Sequence, residues 1–406
     1  MGKTLDENLH LEFTVRGHTV RMADLLAFLA VTVMAVFVRV ALFGFASGDY
    51  TSFLAKWFDT LKESGGFGGI GLSLGDYTPP YIYIMALLTY LPVKSLISIK
   101  LVSCVFDFAL AVFVMLFAYR ARRNSSIAVT AYAAALFLPT VVLNSAFWAQ
   151  CDVIFTLFLL LCVWYFAQNR PFAATLCFGI SFCFKLQAIF LAPFLLLMWA
   201  KGRMKLRHFL IIPAAYLVSI LPAFFAGRPL GELLTIYLNQ SAQYTKLSLN
   251  APNLYIFIGE DKTAALSLAA ILLCGAAVLI SLYLLYERSF HIGGRFLVTC
   301  ALFYALLLPF LLPHMHERYF YVADILALVY AFYCPRRFYV AVLVEFASLA
   351  AYLPFLFGHS PIDLKLAAAA MFIALVLVTM DLIQLTGIRR RGGSDPQLRK
   401  STKEIQ

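Results

Sequence analysis

The sequence predicts an all-α polytopic membrane protein with about 12 transmembrane helices. Of its 406 residues, 62% are hydrophobic and only 13% are charged. Apolar runs of about 20 residues recur along the whole length, and one such run is what a helix needs to cross a bilayer. The 32 Lys and Arg exceed the 21 Asp and Glu and cluster between the apolar runs. This pattern is typical of cytoplasmic loops and does not indicate nucleic-acid binding.

The apolar runs place the predicted spans in order along the chain. The run 23–46 exceeds the about 7 to 15 residues of a signal-peptide core, so we expect it to be retained as the first span. The stretch 80–93 is shorter than the roughly 17 to 25 residues of a crossing, which favours a juxtamembrane helix. The predicted spans are residues 23–46, 99–119, 126–145, 153–168, 171–185, 188–200, 208–226, 263–286, 294–312, 319–334, 338–357 and 364–387.

Positive charge predicts the orientation of these spans. With 80–93 outside the bilayer, the basic loops all fall on one side, which their Lys and Arg mark as cytoplasmic, together with both termini. The predicted organisation is a cytoplasmic tail, 1–22, a main membrane module, 23–320, with exoplasmic loops at 47–98 and 227–261, C-terminal transmembrane helices, 321–387, and a basic cytoplasmic tail, 388–406.

A few polar side chains lie inside the predicted spans, where each costs free energy unless it faces the bundle or water. For Asp107, Asp324 and Glu345 we expect structural pairing within the bundle. Arg39 and Lys185 lie at the exoplasmic level, which favours a functional role. The eight cysteines lack metal-ligand spacing, which predicts packing and no disulfide framework.

Five motifs from distant parts of the chain fall on the predicted exoplasmic side. They are Gly48-Asp49-Tyr50, Asp76-Tyr77-Thr78-Pro79-Pro80, Phe184-Lys185-Leu186-Gln187, Asn253-Leu254-Tyr255 and His316-Glu317-Arg318. Their order resembles the motif series of GT-C-fold glycosyltransferases. The resemblance is to the dolichyl-phosphate-glucose-dependent glucosyltransferases of N-glycan precursor assembly and to bacterial relatives of the second mannosyltransferase of GPI-anchor synthesis. It covers most of residues 39–320, but Leu186 separates Lys185 from Gln187, whereas the Lys and Gln are adjacent in the glucosyltransferases.

The resemblance implies a GT-C-like bundle and an inverting hexosyltransferase. Mannose or glucose would move from a polyprenyl-phosphate carrier to a hydroxyl of a lipid-linked glycan, a glycolipid or a polysaccharide. Asp49 would be the general base, because a single displacement needs one carboxylate within hydrogen-bond reach of the nucleophile. A lone acid offers no obvious second ligand for a divalent metal, so no metal or other cofactor is expected.

The other candidate residues fall into two groups. The leaving phosphate would be held by cations, for which the candidates are Lys185, His316, Arg318 and Arg39. Substrate binding or loop positioning is expected of Asp76, Tyr77, Gln150, Asp152, Gln187, Asn253, Tyr255 and Glu317. The expected partners are the lipid-linked donor, the glycan acceptor and membrane lipids.

Structural alternatives remain open for several of these residues. Asp49 could cap a helix that begins near Thr51, His316 could satisfy a helix end, and Arg39 could pair with Asp49 or Asp76. The glycines between 65 and 71 predict a mobile gate over the donor.

Functional alternatives remain open as well. A transporter or a flippase for lipid-linked sugars would also carry charges in its helices, although no internal repeat is evident. An accessory scaffold without activity is a third possibility. The compact loops favour a bacterial plasma membrane with the site facing outward, and the alternative is an endoplasmic reticulum membrane with a lumenal site.

Overall fold

The protein is all-α, as the sequence predicts. The computed structural model describes residues 12–15, 18–75, 77–242, 246–258 and 263–387. The α-helices are α1 Met22–Leu42, α2 Ala55–Glu63, α3 Pro79–Leu88, α4 Ser95–Arg122, α5 Ser125–Leu136, α6 Pro139–Val142, α7 Asp152–Ala167, α8 Pro171–Phe184, α9 Ala192–Ala200, α10 Ile211–Phe225, α11 Leu230–Ala242, α12 Thr263–Tyr286, α13 Gly294–Leu311, α14 Tyr321–Tyr333, α15 Tyr339–Phe357 and α16 Leu364–Thr386.

Short elements complete the described part of the chain. Strand β1, Glu12–Val15, pairs antiparallel with β2, His18–Arg21, and β3, Ser248–Leu249, pairs parallel with β4, Met315–His316. Turns of π-helix cover Tyr50–Leu54 and Leu143–Phe147, and turns of 3₁₀-helix cover Gly66–Gly69, Leu186–Leu191, Leu206–Leu210, Leu254–Phe257 and Pro335–Arg337.

Seven helices in the described residues are long and apolar enough to cross a membrane, which supports a polytopic membrane protein. The bent pair Ser125–Leu136 and Pro139–Phe147, with an angle of 48° between its parts, raises the number to eight. The other four predicted spans coincide with the shorter apolar helices Asp152–Ala167, Pro171–Phe184, Leu186–Ala200 and Tyr321–Tyr333. A full set of about 12 crossings therefore stays a prediction. Pro79–Leu88 is short, as expected of a juxtamembrane helix.

Burial separates central helices from peripheral ones. In α13, 83% of an 18-residue apolar stretch is buried inside the protein, whereas in α1 the corresponding share is 11%. The exposed residues of α1 include Phe37 and Val40, and those of α12 include Leu279. Large apolar faces of this kind are what lipid chains cover in a membrane protein. The bundle is therefore built around α13, with α1 and α12 at its periphery.

The two ends of the bundle differ in their polar groups. At one end, basic loops bind neighbouring loops: Arg120 Nη2 donates to the carbonyl of Ala167 at 2.6 Å and Lys201 Nζ donates to that of Tyr286 at 2.9 Å. At the other end, the segment after α1, the ends of α8 and α13, and the segments before α7 and α14 converge on a cavity. The candidate site lies at this second end.

Glycines between α2 and α3 allow close packing. A Cβ at Gly71 would lie 2.0 Å from the carbonyl oxygen of Ala226, and a Cβ at Gly75 would lie 1.9 Å from the ring of Trp57. A Cβ at Gly66, whose φ is +71°, would lie 2.5 Å from the ring of Tyr90. These close approaches require glycine. The structure thus gives these glycines a packing role, and the mobile gate stays a prediction.

Candidate active site

Asp49 lies just beyond the end of α1, at the start of a new helical segment. The backbone N–H of Tyr50 donates to Ser47 Oγ at 3.2 Å, so Ser47 provides a cap at this point. The Asp49 side chain makes no capping hydrogen bond. The alternative that Asp49 serves as a helix cap is therefore wrong, and its carboxylate is available for other contacts.

One oxygen of the Asp49 carboxylate is held and the other is open. Trp148 Nε1 donates to Oδ2 at 3.0 Å and Gln150 Nε2 donates to the same atom at 2.6 Å. Arg318 Nη1 lies 3.9 Å from Oδ2. Oδ1 accepts no hydrogen bond from the described residues, and the side chain is 20% exposed where it lines the cavity. The carboxylate is thus oriented by its neighbours through Oδ2, and Oδ1 is left without a hydrogen bond from the described residues.

Asp152 joins two cations next to Asp49. The sequence Phe184-Lys185 ends α8, and Lys185 adopts an extended backbone conformation that turns its side chain toward the start of α7. Lys185 Nζ bonds Asp152 Oδ1 at 2.5 Å, and Arg318 Nε lies 3.7 Å from Asp152 Oδ2. Arg318 Nε is buried and has no hydrogen-bond partner in the described part of the chain. Both cations also line the cavity, so each can meet an anion there.

The segment after α13 is held by a distant loop. Its strand β4 pairs with β3, and the N–H of His314 donates to the carbonyl of Leu247 at 2.8 Å. Within this segment, Arg318 Nη1 bonds Glu317 Oε1 at 2.8 Å, and His316 Nδ1 lies 3.7 Å from Glu317 Oε2. The long loop before α12 therefore positions His316 and Arg318 at the cavity.

Burial and charge set the pKa values of this segment. Burial alone would raise the pKa of Glu317, but the hydrogen bond from His316 and the charge of Arg318 outweigh it and lower that pKa. Burial alone would lower the pKa of Arg318, but the carboxylates of Glu317, Asp152 and Asp49 raise it well above its ordinary value. Glu317 thus stays ionised and holds Arg318 in place.

The cavity has a volume of about 640 Å³. This lies within the range of about 300 to 1,000 Å³ that is typical of small-molecule sites. One part is polar and contains Asp49, Gln150, Lys185, Gln187, His316 and Arg318. The remainder is largely apolar and includes Phe53, Trp57, Ile189, Phe190 and Ile271. Among the described residues, no group of three His, Cys, Asp or Glu side chains is placed to hold a metal ion.

Tyr77 and Gln187, two candidates for substrate binding or loop positioning, also line this cavity. Tyr77 OH donates to Gln150 Oε1 at 3.3 Å, and Lys185 Nζ lies 5.4 Å from the centre of the Tyr77 ring. Burial is the main cause that raises the pKa of Tyr77 well above its ordinary value, so this hydroxyl is a donor. Tyr77 therefore supports Gln150 and Lys185. The candidate residue Asp76 lies outside the described residues.

Arg39 does not belong to the cavity, which corrects the expectation that it binds the donor phosphate. Its Nε pairs with Asp107 Oδ2 at 3.0 Å, while Nη1 and Nη2 donate to the carbonyls of Ala35 and Leu136. The Arg39 side chain is 2% exposed. Each guanidinium nitrogen thus has a protein acceptor inside the bundle, and the carboxylate that pairs with Arg39 is that of Asp107 and not that of Asp49. The alternative partner Asp76 lies outside the described residues. The predicted structural pairing of Asp107 is present.

Asn253 and Tyr255 position a loop and do not line the cavity. Asn253 Oδ1 accepts from the N–H of Tyr255 at 3.1 Å and its side chain is fully buried. Tyr255 OH donates to the carbonyl of Leu311 at 2.5 Å. These bonds fasten the loop to the end of α13. Of the two roles that the sequence left open for these residues, the structure matches loop positioning.

Sequence reasoning missed two residues that shape the site. Trp148 is fully buried, donates to Asp49 and has the Arg318 guanidinium 5.5 Å from its ring centre. Asn144 Nδ2 donates to Asp152 Oδ2 at 2.8 Å. Trp148 lies in the same polar segment as Gln150 and Asp152, so the position of that segment could have indicated that Trp148 lies near the site. Asn144 lies inside a predicted span, where a polar residue is itself a signal.

The comparison with protein families identifies the chain. A model of glycosyltransferase family 87 matches residues 76–309, which is more than half of the sequence. The chain belongs to glycosyltransferase family 87. A comparison with curated proteins finds no match. As a family 87 glycosyltransferase it is an enzyme, and its helices place it in a membrane.

The family match covers part of the cavity. It includes Gln150, Asp152 and Lys185, whereas Asp49 precedes it and Arg318 follows it. The family 87 assignment therefore supports the reaction class. The roles of individual side chains rest on the geometry described above.

Proposed function

We propose that this glycosyltransferase moves a hexose, mannose or glucose, from a polyprenyl-phosphate carrier to an acceptor hydroxyl with inversion at the anomeric carbon. The acceptor is a lipid-linked glycan, a glycolipid or a polysaccharide. One observation carries the proposal: Asp49, whose Oδ1 accepts no hydrogen bond from the described residues, lines a cavity together with Lys185, His316 and Arg318. A base and anion-binding cations share one space, as the reaction requires.

Asp49 acts as the general base. Its Oδ1 accepts the proton of the acceptor hydroxyl while the hydroxyl oxygen attacks the anomeric carbon. The bond from that carbon to the phosphate oxygen breaks, and its electron pair stays with the phosphate. Trp148 and Gln150 hold Oδ2 throughout, so the carboxylate turns only one oxygen to the acceptor. A base that is already oriented lowers the entropic cost of reaching the transition state.

Lys185, Arg318 and His316 bind the departing phosphate. Lys185 has three N–H donors, one of which is used by Asp152. Arg318 lines the cavity, and its side chain forms one hydrogen bond among the described residues, from Nη1 to Glu317. Both can therefore gain a phosphate oxygen without breaking a bond to protein. Cations fixed beforehand stabilise charge that develops in the transition state.

The apolar part of the cavity supports a lipid-linked donor. Ile189 and Phe190 line it from the 3₁₀ turn that follows Lys185, and Ile271 lines it from α12. A polyprenyl chain needs an apolar path next to the phosphate, whereas a nucleotide-linked sugar would need polar groups for its base and ribose. The lining therefore favours a prenyl phosphate over a nucleotide.

The site faces the outside of the cell in this proposal. The basic loops lie at the opposite end of the bundle, and an excess of Lys and Arg marks the cytoplasmic side. Labelling of single cysteines with a membrane-impermeant maleimide tests this, because all eight native cysteines are buried. Ser64→Cys, near the site, should react in intact cells, and Ser289→Cys, at the other end, only after permeabilisation. The reverse pattern would place the site in the cytoplasm.

A substrate screen tests the function directly. Purified protein is mixed with short-chain lipid-phosphate mannose, lipid-phosphate glucose, GDP-mannose or UDP-glucose and a mixture of candidate acceptors. We expect thermal stabilisation and release of lipid phosphate with a lipid-phosphate sugar, because a ligand that binds the folded state raises its melting temperature. Stabilisation and turnover with a nucleotide sugar alone would refute the donor class.

The family assignment favours the enzyme over the transporter or flippase. The polar groups of the cavity also gather at one end of the bundle, whereas transporters bind substrate near the middle of the membrane.

A further inference from the structure

We propose that Lys100 is a positioning residue that sets the place of Asp49. The inference rests on the proposed role of Asp49 as the base. Lys100 lies in the second turn of α4 and is fully buried. Its Nζ donates to three carbonyl oxygens, those of Leu42 at 3.1 Å, Phe43 at 3.2 Å and Phe45 at 2.6 Å. We call this set of bonds the Lys100 clamp.

The clamp is the main compensation for burying the Lys100 charge. A buried ammonium group costs free energy unless it is paired, and Lys100 forms no ion pair with a carboxylate in the described residues. The carbonyls at the end of a helix lack helical partners and carry the negative end of its dipole. A lysine close to a membrane surface can extend to water instead. Lys100 turns inward, to the end of α1.

The clamped segment leads directly to Asp49 and is fixed again just before and after it. Ser47 Oγ donates to the carbonyl of Trp148 at 2.7 Å. The hydroxyls of Tyr50 and Ser95 are 2.8 Å apart and share a hydrogen bond. Lys100 and Ser95 both lie in the first two turns of α4. One end of α4 therefore holds the chain on both sides of Asp49.

This arrangement predicts different effects on turnover and on donor binding. Without the clamp, the end of α1 can shift, and Asp49 then loses its alignment with Trp148 and Gln150. A displacement of about 1 Å in a reacting group lowers a rate by about 100-fold. The donor phosphate is held by Lys185 and Arg318 on other segments. Loss of Lys100 should therefore lower kcat and leave the KM for the donor nearly unchanged.

A spectroscopic measurement tests the inference without an activity assay. The indole N–H resonance of Trp148 reports its bond to Asp49 Oδ2 and can be assigned in ¹⁵N-tryptophan-labelled protein by loss of the signal in Trp148→Phe. We expect Lys100→Met to shift this resonance, as Asp49→Asn should. Lys201→Met is the matched control, because Lys201 Nζ also donates to two backbone carbonyls but at the opposite end of the bundle. It should leave the resonance in place.

Turnover provides the second measurement. We expect kcat to fall about 10- to 100-fold in Lys100→Met and to stay near the wild-type value in Lys201→Met. Lys100→Gln shortens the side chain but keeps a polar donor, and it serves if Lys100→Met does not fold. It should shift the Trp148 resonance and lower kcat in the same direction.

The outcomes separate this inference from the proposed function. An unchanged Trp148 resonance and unchanged kcat in the folded variants would refute the positioning role. A shifted resonance in Lys100→Met together with full activity of Asp49→Asn would support the clamp and refute Asp49 as the base.

Discussion

Two groups of charged side chains differ in whether a ligand can reach them. Arg39 and Asp107 are 2% and 0% exposed, and each nitrogen of Arg39 has a protein acceptor. Arg318, by contrast, is 17% exposed, lines a cavity and keeps a buried Nε without a hydrogen bond in the described residues. Asp49 likewise keeps one oxygen open.

The difference shows how a structural ion pair can be told from a functional one. The sequence assigned Arg39 and Arg318 to the same role, although Arg39 lies inside a predicted span and Arg318 lies in a polar segment between two spans. The Arg39 pair joins α1 to α4 and uses up its donors, so it can stabilise the bundle but cannot bind a ligand. The cavity group lines a space that a ligand can enter, whereas the one atom of the Arg39 pair without a hydrogen bond, Asp107 Oδ1, is buried in the bundle. The following predictions test this contrast, from the largest expected effect to the smallest.

Asp49→Asn should lower turnover by about 100- to 10,000-fold, which is the usual contribution of a general base. Asparagine keeps the shape of the side chain but cannot take the acceptor proton. Binding of the donor, measured by thermal stabilisation, should change by less than about twofold. Asp59→Asn, on the exposed side of α2, is the control and should be fully active. Normal transfer by Asp49→Asn would show that the base is another group.

Arg39→Met should lower the free energy of unfolding by about 3 to 5 kcal/mol, because it leaves Asp107 buried without its charge partner. Denaturant titration in detergent measures this loss. Turnover per folded molecule should stay near the wild-type value. The double variant Arg39→Met/Asp107→Leu should recover most of the stability, since it removes both charges. A loss of turnover as large as that of Asp49→Asn would remove the contrast between the two groups.

Arg318→Lys should weaken donor binding by about tenfold while the protein remains folded. Lysine keeps the charge but loses the planar fork that meets a phosphate through two hydrogen bonds. The KM for the donor is the measurement. The control is Arg337→Lys, which makes the same exchange in an ion pair with Asp381 at the opposite end of the bundle. Equal KM values for both variants would argue against a phosphate contact by Arg318.

Glu317→Gln should change how the stability of the protein depends on pH in the acidic range. The pKa of Glu317 is lower in the folded protein than its ordinary value of 4.5. Its contribution to stability is therefore fully present above pH 4.5 and is lost as the pH falls through the lower, folded value. Melting temperatures across this range should fall less steeply in Glu317→Gln than in the wild type. Glu63→Gln, at an exposed position, should leave the slope unchanged.

Much of the fold was predictable because a bilayer restricts what an apolar run can do. The twelve predicted segments all coincide with apolar helices, and the motifs at 49, 185 and 316 meet at one cavity. The rotation of each helix about its axis was not predictable, because a helix that is hydrophobic on all sides has no polar face to show which side points into the bundle. Arg39 was assigned to the site for this reason. Its side chain points into the bundle toward Asp107.

Contacts to backbone atoms could not be predicted from the sequence for a different reason. Lys100 lies inside the predicted span 99–119, near its end, where a lysine usually reaches water. Its partners are three carbonyl oxygens, which every residue possesses and which leave no mark in a sequence. The hydrogen bond from the Trp148 indole was not predictable either, because the sequence does not show whether a buried tryptophan donates a hydrogen bond.

The pairing of β3 with β4 has a consequence for inhibition. These two short strands join residues 246–250 to the segment that contains His316 and Arg318. An antibody fragment that bound residues 246–258 and pulled that strand away would displace both side chains without entering the cavity. Such a binder would reduce turnover at saturating acceptor, and excess donor would not compete with it for the same surface.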